Sequence, residues 1–192
     1  MKYLKAKGSF DNKTIKRTVD CFKKGGVVVY PTDTVYGIGC LATDQGVIDR
    51  IYSIKKRGRD KPFLVLVSDI SMAKDYFKIN KEQESYLAEY WPGPYSFLLN
   101  HKGKLAQKDF DSLVVRLPKN NFLTKIIKEL DCPITSTSLN LSGDRVVDDL
   151  VELDSYFDLS LVDLVLDVGP VQGKPSSVVD IRDIKNIKIL RE

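Results

Sequence analysis

The sequence is poor in the residues on which much enzyme chemistry runs. Its 192 residues hold one histidine, His101, and three cysteines, Cys21, Cys40 and Cys132. A single histidine, heading the polar segment HKGKLAQKD, reads as a loop residue and leaves no Ser-His-Asp triad to assemble in the usual way. The cysteines are far apart and form no CxxC pair, so they read as reduced, mostly buried thiols and not as a zinc site or a disulfide framework. No metal-ligating set is legible. No stretch approaches the roughly 18 uninterrupted apolar residues of a membrane span. The opening MKYLKAKGSFDNK lacks the apolar core of a signal peptide. The expectation is a cytoplasmic protein with no membrane partner. Neither GxGxxG nor the GxxxxGK(S/T) loop occurs, so the two common nucleotide fingerprints are missing. Any catalysis must rest on cations, hydroxyls, amides and carboxylates, with magnesium as the one metal to consider.

What is present is a globular composition, 43% hydrophobic and 29% charged, in a length that suits one domain spanning residues 1–192. A net charge of +4 permits an anionic ligand or a weak nucleic-acid contact but does not mark a dedicated DNA binder. The pattern of elements is mixed. DNKTIKRTVDCFKKGG predicts a capped helix with Ile15, Val19 and Phe22 on its apolar face. VVVYPTDTVYGIG reads as a strand delivering a polar loop. TDQGVIDRIYSIKKRG predicts a second helix, with Val47, Ile48, Ile51 and Ile54 as its stripe and Gly58 as its stop. An apolar strand PFLVLV follows, then helices over Ser71–Phe77 and Lys81–Tyr90. YSFLLN and DSLVVRLP read as strands, NFLTKIIKEL as a helix, and CPITSTSLNLSG as a short strand entering a hydroxyl-rich loop. VDLVLDVG, SSVVDI and NIKILR are three more strands. Strict βαβ alternation fails twice, which predicts a single α/β domain around a large, twisted, mixed sheet and not a pure Rossmann arrangement.

Four segments could carry chemistry. SIKKRGRDKP packs five cations, Lys55, Lys56, Arg57, Arg59 and Lys61, around one acid, Asp60. Cations in a last helical turn complement the helix dipole, which accounts for Lys55 and Lys56. Arg57 and Lys61, in a non-helical turn before a buried strand, also read as a phosphate grip. PTDTVYG sets Thr32, Asp33, Thr34 and Tyr36 at a strand end, where α/β sheets gather ligands. The other reading is a polar turn closed by its own side chains. In TSTSLNLSG, alternation sends Ser136, Ser138 and Asn140 to one side if the segment is extended, and a capping loop is the alternative. Arg116, inside the apolar DSLVVRLP, needs a structural carboxylate or an anionic ligand if it is buried. WPGP at Trp91–Pro94 reads as a packed turn.

In this order the segments resemble the YrdC-like family, the threonylcarbamoyl-AMP synthases. GGVVVYPTDTVYGIGC is similar to that family's opening strand and PT(E/D)TVYGLG loop, and KKRGRDKPFLVLV to its KxR basic segment. WPGPYSFLL, SLVVRLP, STSLNLSG and GKPSSVVDI…ILRE are similar to its later motifs. The resemblance runs from about Gly25 to Arg191. It implies the YrdC-like fold, a twisted α/β sheet around a wide, positively lined cavity. It implies an enzyme that condenses L-threonine, bicarbonate or CO2, and ATP to threonylcarbamoyl-AMP and pyrophosphate. Mg²⁺ would be bound with the ATP, and a downstream tRNA threonylcarbamoyl-transferase complex would move the group to adenosine 37 of tRNAs reading ANN codons.

Carried over by motif, Lys55, Arg57, Ser138 and Asn140 become the catalytic set. Arg57, Lys61, Ser112, Ser136, Ser138 and Arg191 become nucleotide contacts, and Thr34, Arg116 and Ser176 hold threonine. Three positions depart from the family pattern. Leu66 stands where longer members have histidine, Leu139 replaces the alanine of SAN and is expected to narrow the pocket, and Val146 stands where some members place serine. The extra C-terminal domain of the longer form is not expected in this length. Two rivals stand beside the synthase: a paralogue of the same fold with another substrate, and a noncatalytic module binding tRNA or double-stranded RNA through the basic cavity.

Overall fold

The computed structural model describes residues 2–6 and 10–192; residue 1 and residues 7–9 of the opening segment lie outside them. In chain order the elements are β1 (Lys2–Lys5), α1 (Asn12–Lys23), β2 (Val28–Pro31), β3 (Tyr36–Gly39), α2 (Gln45–Lys55), β4 (Leu64–Leu66), α3 (Ile70–Tyr76) and α4 (Lys81–Tyr90). Then come β5 (Tyr95–Asn100), β6 (Ser112–Arg116), α5 (Asn121–Leu130), β7 (Ile134–Ser138), α6 (Leu153–Tyr156), β8 (Leu164–Asp167), β9 (Ser177–Asp180) and β10 (Lys188–Arg191).

Helix starts follow directly from the sequence. Asp11, Asp44, Asp69, Asn80 and Asn120 each cap a helix by accepting a backbone N–H from its first turn, which satisfies one otherwise unpaired donor. Two local expectations are corrected. The second helix stops at Lys56, which itself takes the left-handed conformation at φ 48°, while Arg57 N–H donates to Tyr52 C=O at 3.1 Å. Gly58 lies beyond that stop. PTDTVYGIG is not only a loop: Tyr36–Gly39 is a second strand, antiparallel to β2 with Pro31 opposite Tyr36. Its glycines disguise it, and one of them is required there, because a Cβ on Gly39 would sit 2.0 Å from Thr135 C=O.

One mixed sheet of ten strands runs in the order β1-β8-β2-β3-β7-β4-β6-β5-β9-β10, with parallel and antiparallel pairs interleaved as the broken alternation predicts. Helices α1 and α5 press Ile15, Val19, Phe22, Leu123, Ile126 and Ile127 onto one face, with α3 and α4 extending that cover. The core there reaches from Leu164 and Val28 through Val65 and Val115 to Phe97 and Val179. On the other face α2 lays Ile48, Ile51, Tyr52 and Ile54 over Val29, Ile38 and Val165. Each such side chain contributes about 1.5–3 kcal/mol when fully buried. This second cover ends at β3: among the described residues, none from β4, β5, β6 or β9 joins that cluster. Half of one sheet face is therefore left without a helix over it.

Candidate functional site

The bare half-face is the floor of a cavity of ≈190 Å³. Strand register builds that floor. Leu64 lies opposite Ser136 and Leu66 opposite Arg116. Gly37 lies opposite Ser138, and Val178 lies beside Ser96 and Arg191. Same-face alternation brings Val114 in with Arg116, a lining residue that the sequence reading passed over although its alternation in SLVVR signals it. The segment from Gly169 to Ser176 leaves β8, near one end of the sheet, for β9, near the other. Along this path it lies against the PTDT turn, where a Cβ on Gly173 would meet Thr34 C=O at 2.0 Å.

Of the residues singled out by sequence, Thr34, Arg57, Arg116, Ser136, Ser138, Ser176 and Arg191 line the cavity. Three guanidinium groups therefore share the wall with hydroxyls, and among the described residues no carboxylate lies on it. Arg57 donates from Nε to Lys61 C=O at 3.1 Å and from Nη2 to Pro62 C=O at 3.2 Å. Its guanidinium carbon sits 5.2 Å from the Phe63 ring centre. These contacts spend part of its donor fork on its own turn and leave the rest for a ligand. Burial lowers the pKa values of Arg57 and Arg191, so each gains by pairing with an anion. Arg191 donates to Ser176 C=O at 3.1 and 2.6 Å, while Ser176 Oγ and Ser96 Oγ share a 2.7 Å hydrogen bond.

Arg116 has the carboxylate partner that one of its readings requires, and it also faces the cavity. Its side chain is 6% exposed, and Nη2 lies 2.7 Å from Asp33 Oδ1. Nε donates to Gly93 C=O at 2.9 Å and Nη1 to Thr34 Oγ1 at 3.1 Å. The Asp33 contact is a buried ion pair: burial lowers the Arg116 pKa, and the charge and hydrogen bonding of Asp33 oppose that shift. Asp33, in the PTDT turn, supplies that carboxylate.

Lys55, Lys61, Ser112 and Asn140 do not line the cavity. Lys55 is 1% exposed, with its ammonium donating to Ser138 C=O at 2.5 Å, Asn140 C=O at 2.7 Å and Asn140 Oδ1 at 3.0 Å. Ser138 Oγ donates to the same Asn140 Oδ1 at 2.7 Å. Lys55 and Asn140 thus stand behind the wall and fix the Ser138 hydroxyl. Desolvation, with Arg57's charge second, pushes the Lys55 pKa down to about 7. The oxygens around it favour the protonated form and oppose that shift. Lys61 is exposed, and Ser112 lies at the far end of β6, 3.5 Å from Arg182 Nη1.

The departures from the family pattern separate cleanly. Leu66 lines the cavity beside Arg116. Leu139 does not narrow it: β7 ends at Ser138 and Leu139 turns into the α2-side core at 0% exposure. Val146 is half-buried and not on the wall. His101 is buried elsewhere, with Nε2 donating to Phe110 C=O and Nδ1 accepting from Gly103 N–H at 3.2 Å. Trp91 is a packed turn residue, donating from Nε1 to Tyr95 C=O at 2.8 Å. Among the thiols Cys40 is buried, whereas Cys21 and Cys132 are half-buried. Among the described residues no helix is long and apolar enough to cross a membrane.

Comparison with known proteins agrees with this architecture. The structure of P. abyssi Sua5 complexed with L-threonine superposes with a TM-score of 0.91 at 24% identity, covering 100% of this chain and 57% of that one. This chain therefore spans little more than half of the Sua5 chain. E. coli YciO matches at 28% identity with a TM-score of 0.86, covering 99% of this chain and 93% of that one. Full-length HypF in its phosphate- and nucleotide-bound form matches at 27% identity and a TM-score of 0.79, over 92% of this chain and 28% of that one. Residues 20–192 match the family model described as Telomere recombination, and the chain belongs to this Sua5/YciO/YrdC family.

Proposed function

We propose that the chain is an L-threonylcarbamoyladenylate synthase. The observation that carries the reading is the cavity wall itself: three guanidiniums among hydroxyls, with no acid among the described residues, in a chain of the Sua5/YciO/YrdC family. The threonine-bound Sua5 structure and the nucleotide-bound HypF structure support an amino acid and a nucleotide as the two ligand types.

In this reading the threonine amine attacks bicarbonate, giving a carbamate and water. A carbamate oxygen then attacks the α-phosphorus of ATP, and the α–β bridging oxygen leaves with pyrophosphate. Negative charge spreads over phosphoryl oxygens in that step. Arg57, with the Ser136 hydroxyl, is the group assigned here to stabilise it, and positioned donors of this kind are each worth about 10²–10³ in turnover; Ser138 joins them by turning its O–H from Asn140 Oδ1 to the ligand. Lys55 and Asn140 serve by holding Ser138. Arg116, Thr34 and Ser176 take the amino acid at the other end, while Arg191 reaches the same wall. The ≈190 Å³ cavity is below the ~300–1000 Å³ usual for a drug-sized ligand, so the nucleotide extends through the mouth.

Magnesium fits this site only as a companion of the triphosphate. Among the described residues the wall has no carboxylate, and no metal-holding group of His, Cys, Asp or Glu occurs. Phosphate oxygens and water would hold the ion, which would offset triphosphate charge when bound. The adenylate is then the substrate for a transferase that modifies adenosine 37 of tRNA.

The test is pyrophosphate release from MgATP and bicarbonate with and without L-threonine, with the adenylate identified by mass. Threonine-dependent release with that product is expected. ATP binding without threonine-dependent release would instead favour a paralogue with another amine. Binding of duplex RNA that weakens steeply with salt, without turnover, would favour the noncatalytic module.

A further inference from the structure

The wall raises a selectivity problem that the proposed reaction does not solve. Three arginines line one cavity, and each has a donor fork that suits phosphate as well as carboxylate. ATP brings several phosphates, whereas the amino acid brings one carboxylate. Nothing in the arginines alone keeps the triphosphate from occupying the amino-acid end.

Asp33 distinguishes that end from the other. Its Oδ1 lies 2.7 Å from Arg116 Nη2, and its Oδ2 accepts the Lys119 backbone N–H at 3.0 Å. The carboxylate is thus anchored between the β2–β3 turn and the segment after β6. It is 14% exposed and is not itself on the wall. Arg57 has no carboxylate bonded to it: its hydrogen bonds go to the neutral carbonyls of Lys61 and Pro62, and Asp60 of the same turn acts on it through charge alone. Arg191 likewise rests on Ser176 C=O, and its charge is felt at Arg116.

The local charges match a ligand group that carries a single negative charge. Arg116 and Arg191 supply two positive charges and Asp33 supplies one negative, so a single carboxylate brings the group to neutrality. A phosphate or pyrophosphate would overshoot, with its extra charge close to Asp33 in a poorly hydrated site where like charges repel strongly.

We propose that Asp33 is a positioning and selectivity residue: it holds Arg116 and makes that end of the cavity a monocarboxylate subsite that excludes polyphosphate. This rests on the proposed reaction for the identity of the amino acid, but the charge argument applies to any monocarboxylate ligand.

The experiment compares wild type, Asp33→Asn, Asp33→Glu and the double variant Asp33→Asn/Arg116→Gln. Inorganic pyrophosphate binding is followed by calorimetry, and KM and kcat by turnover. In Asp33→Asn, pyrophosphate is expected to bind about tenfold more tightly and to compete with threonine. The KM for threonine rises by a similar factor while the KM for ATP stays within about twofold. Asp33→Glu restores wild-type selectivity. The double variant keeps wild-type pyrophosphate affinity, because Arg116 contributes none in the wild type.

Unchanged pyrophosphate affinity in folded Asp33→Asn would overturn the proposal, as would equal shifts in both KM values. If Asp33→Asn does not fold, Asp33→Ser is read in its place with the same expected shifts, and loss of pyrophosphate affinity in the double variant would also overturn the proposal by showing that Arg116 already binds phosphate. Calorimetry needs no turnover. An absence of threonine-dependent pyrophosphate release in the wild type would therefore sink the proposed reaction while leaving the role of Asp33 separately decided.

Discussion

One face of the sheet is built in two ways. Over β8, β2 and β3 it carries valine and isoleucine under α2. Over β7, β4, β6 and β9 the same face carries Ser136, Ser138, Arg116 and Val178, with no helix above them. Backbone geometry does not distinguish the two halves, since both are strands in one hydrogen-bonded series. The difference lies in what the side chains can do with water removed. Apolar chains gain by a helix closing over them. Buried guanidiniums lose hydration, and Arg57 and Arg191 meet only neutral oxygens, so that half gains from an anionic ligand. The covered half stabilises the fold, and the bare half is the one that the proposed reaction uses.

Substitution should separate the halves. The largest effect is expected from Ile51→Ala under α2, which should cost about 2–5 kcal/mol of unfolding free energy with turnover per folded molecule unchanged. Denaturant unfolding beside active-site-normalised kinetics checks both. A drop in kcat at full folding would break the comparison. In the bare half, Arg57→Ala is expected to cut turnover by about 10²-fold or more while moving the unfolding midpoint little. A midpoint loss as large as that of Ile51→Ala would make Arg57 a structural residue.

Lys55 sits on the border, and its test is pH. Its pKa falls from 10.5 in the ordinary case to about 7 in the fold. Between these values the unfolded chain binds the extra proton, so stability rises with pH across that window and the burial penalty is felt in full below about 7. Unfolding free energy measured from pH 6 to pH 10 should show this rise in wild type, on the order of a few kcal/mol, and lose it in Lys55→Met. A flat wild-type profile would mean that the three oxygens around Nζ keep the lysine protonated throughout. The smallest effect is expected from Leu139→Ala on selectivity. Leu139 packs into the α2-side core, so the KM for threonine should stay within about twofold although stability falls. A clear change in KM would place Leu139 functionally at the cavity.

Helix caps and apolar stripes were legible because local spacing sets them, as in Asp11 with Ile15, Val19 and Phe22. The mixed sheet was legible from the breaks in alternation. β3 was not, since YGIG has the composition of a turn and becomes a strand only because β2 and β7 bracket it. β1 was missed for a similar reason: KYLK is a short edge strand whose partner, β8, lies far along the chain. Within the site, motif spacing found Arg57, Ser138 and Arg116. It did not reveal that Lys55 and Asn140 stand one layer behind, because the direction of a side chain past the end of a strand depends on tertiary packing. Leu139 shows the same limit, as alternation ceases to apply once β7 ends at Ser138.

The most direct measurement is a crystal structure of the chain with L-threonine and a nonhydrolysable ATP analogue. Phosphate oxygens within hydrogen-bond reach of Arg57 and Ser138, with the amino-acid carboxylate at Arg116, would be the predicted result. Ligands seated elsewhere, such as the ≈270 Å³ hollow beside Arg145 and Tyr156, with the bare half-face left open, would contradict the account.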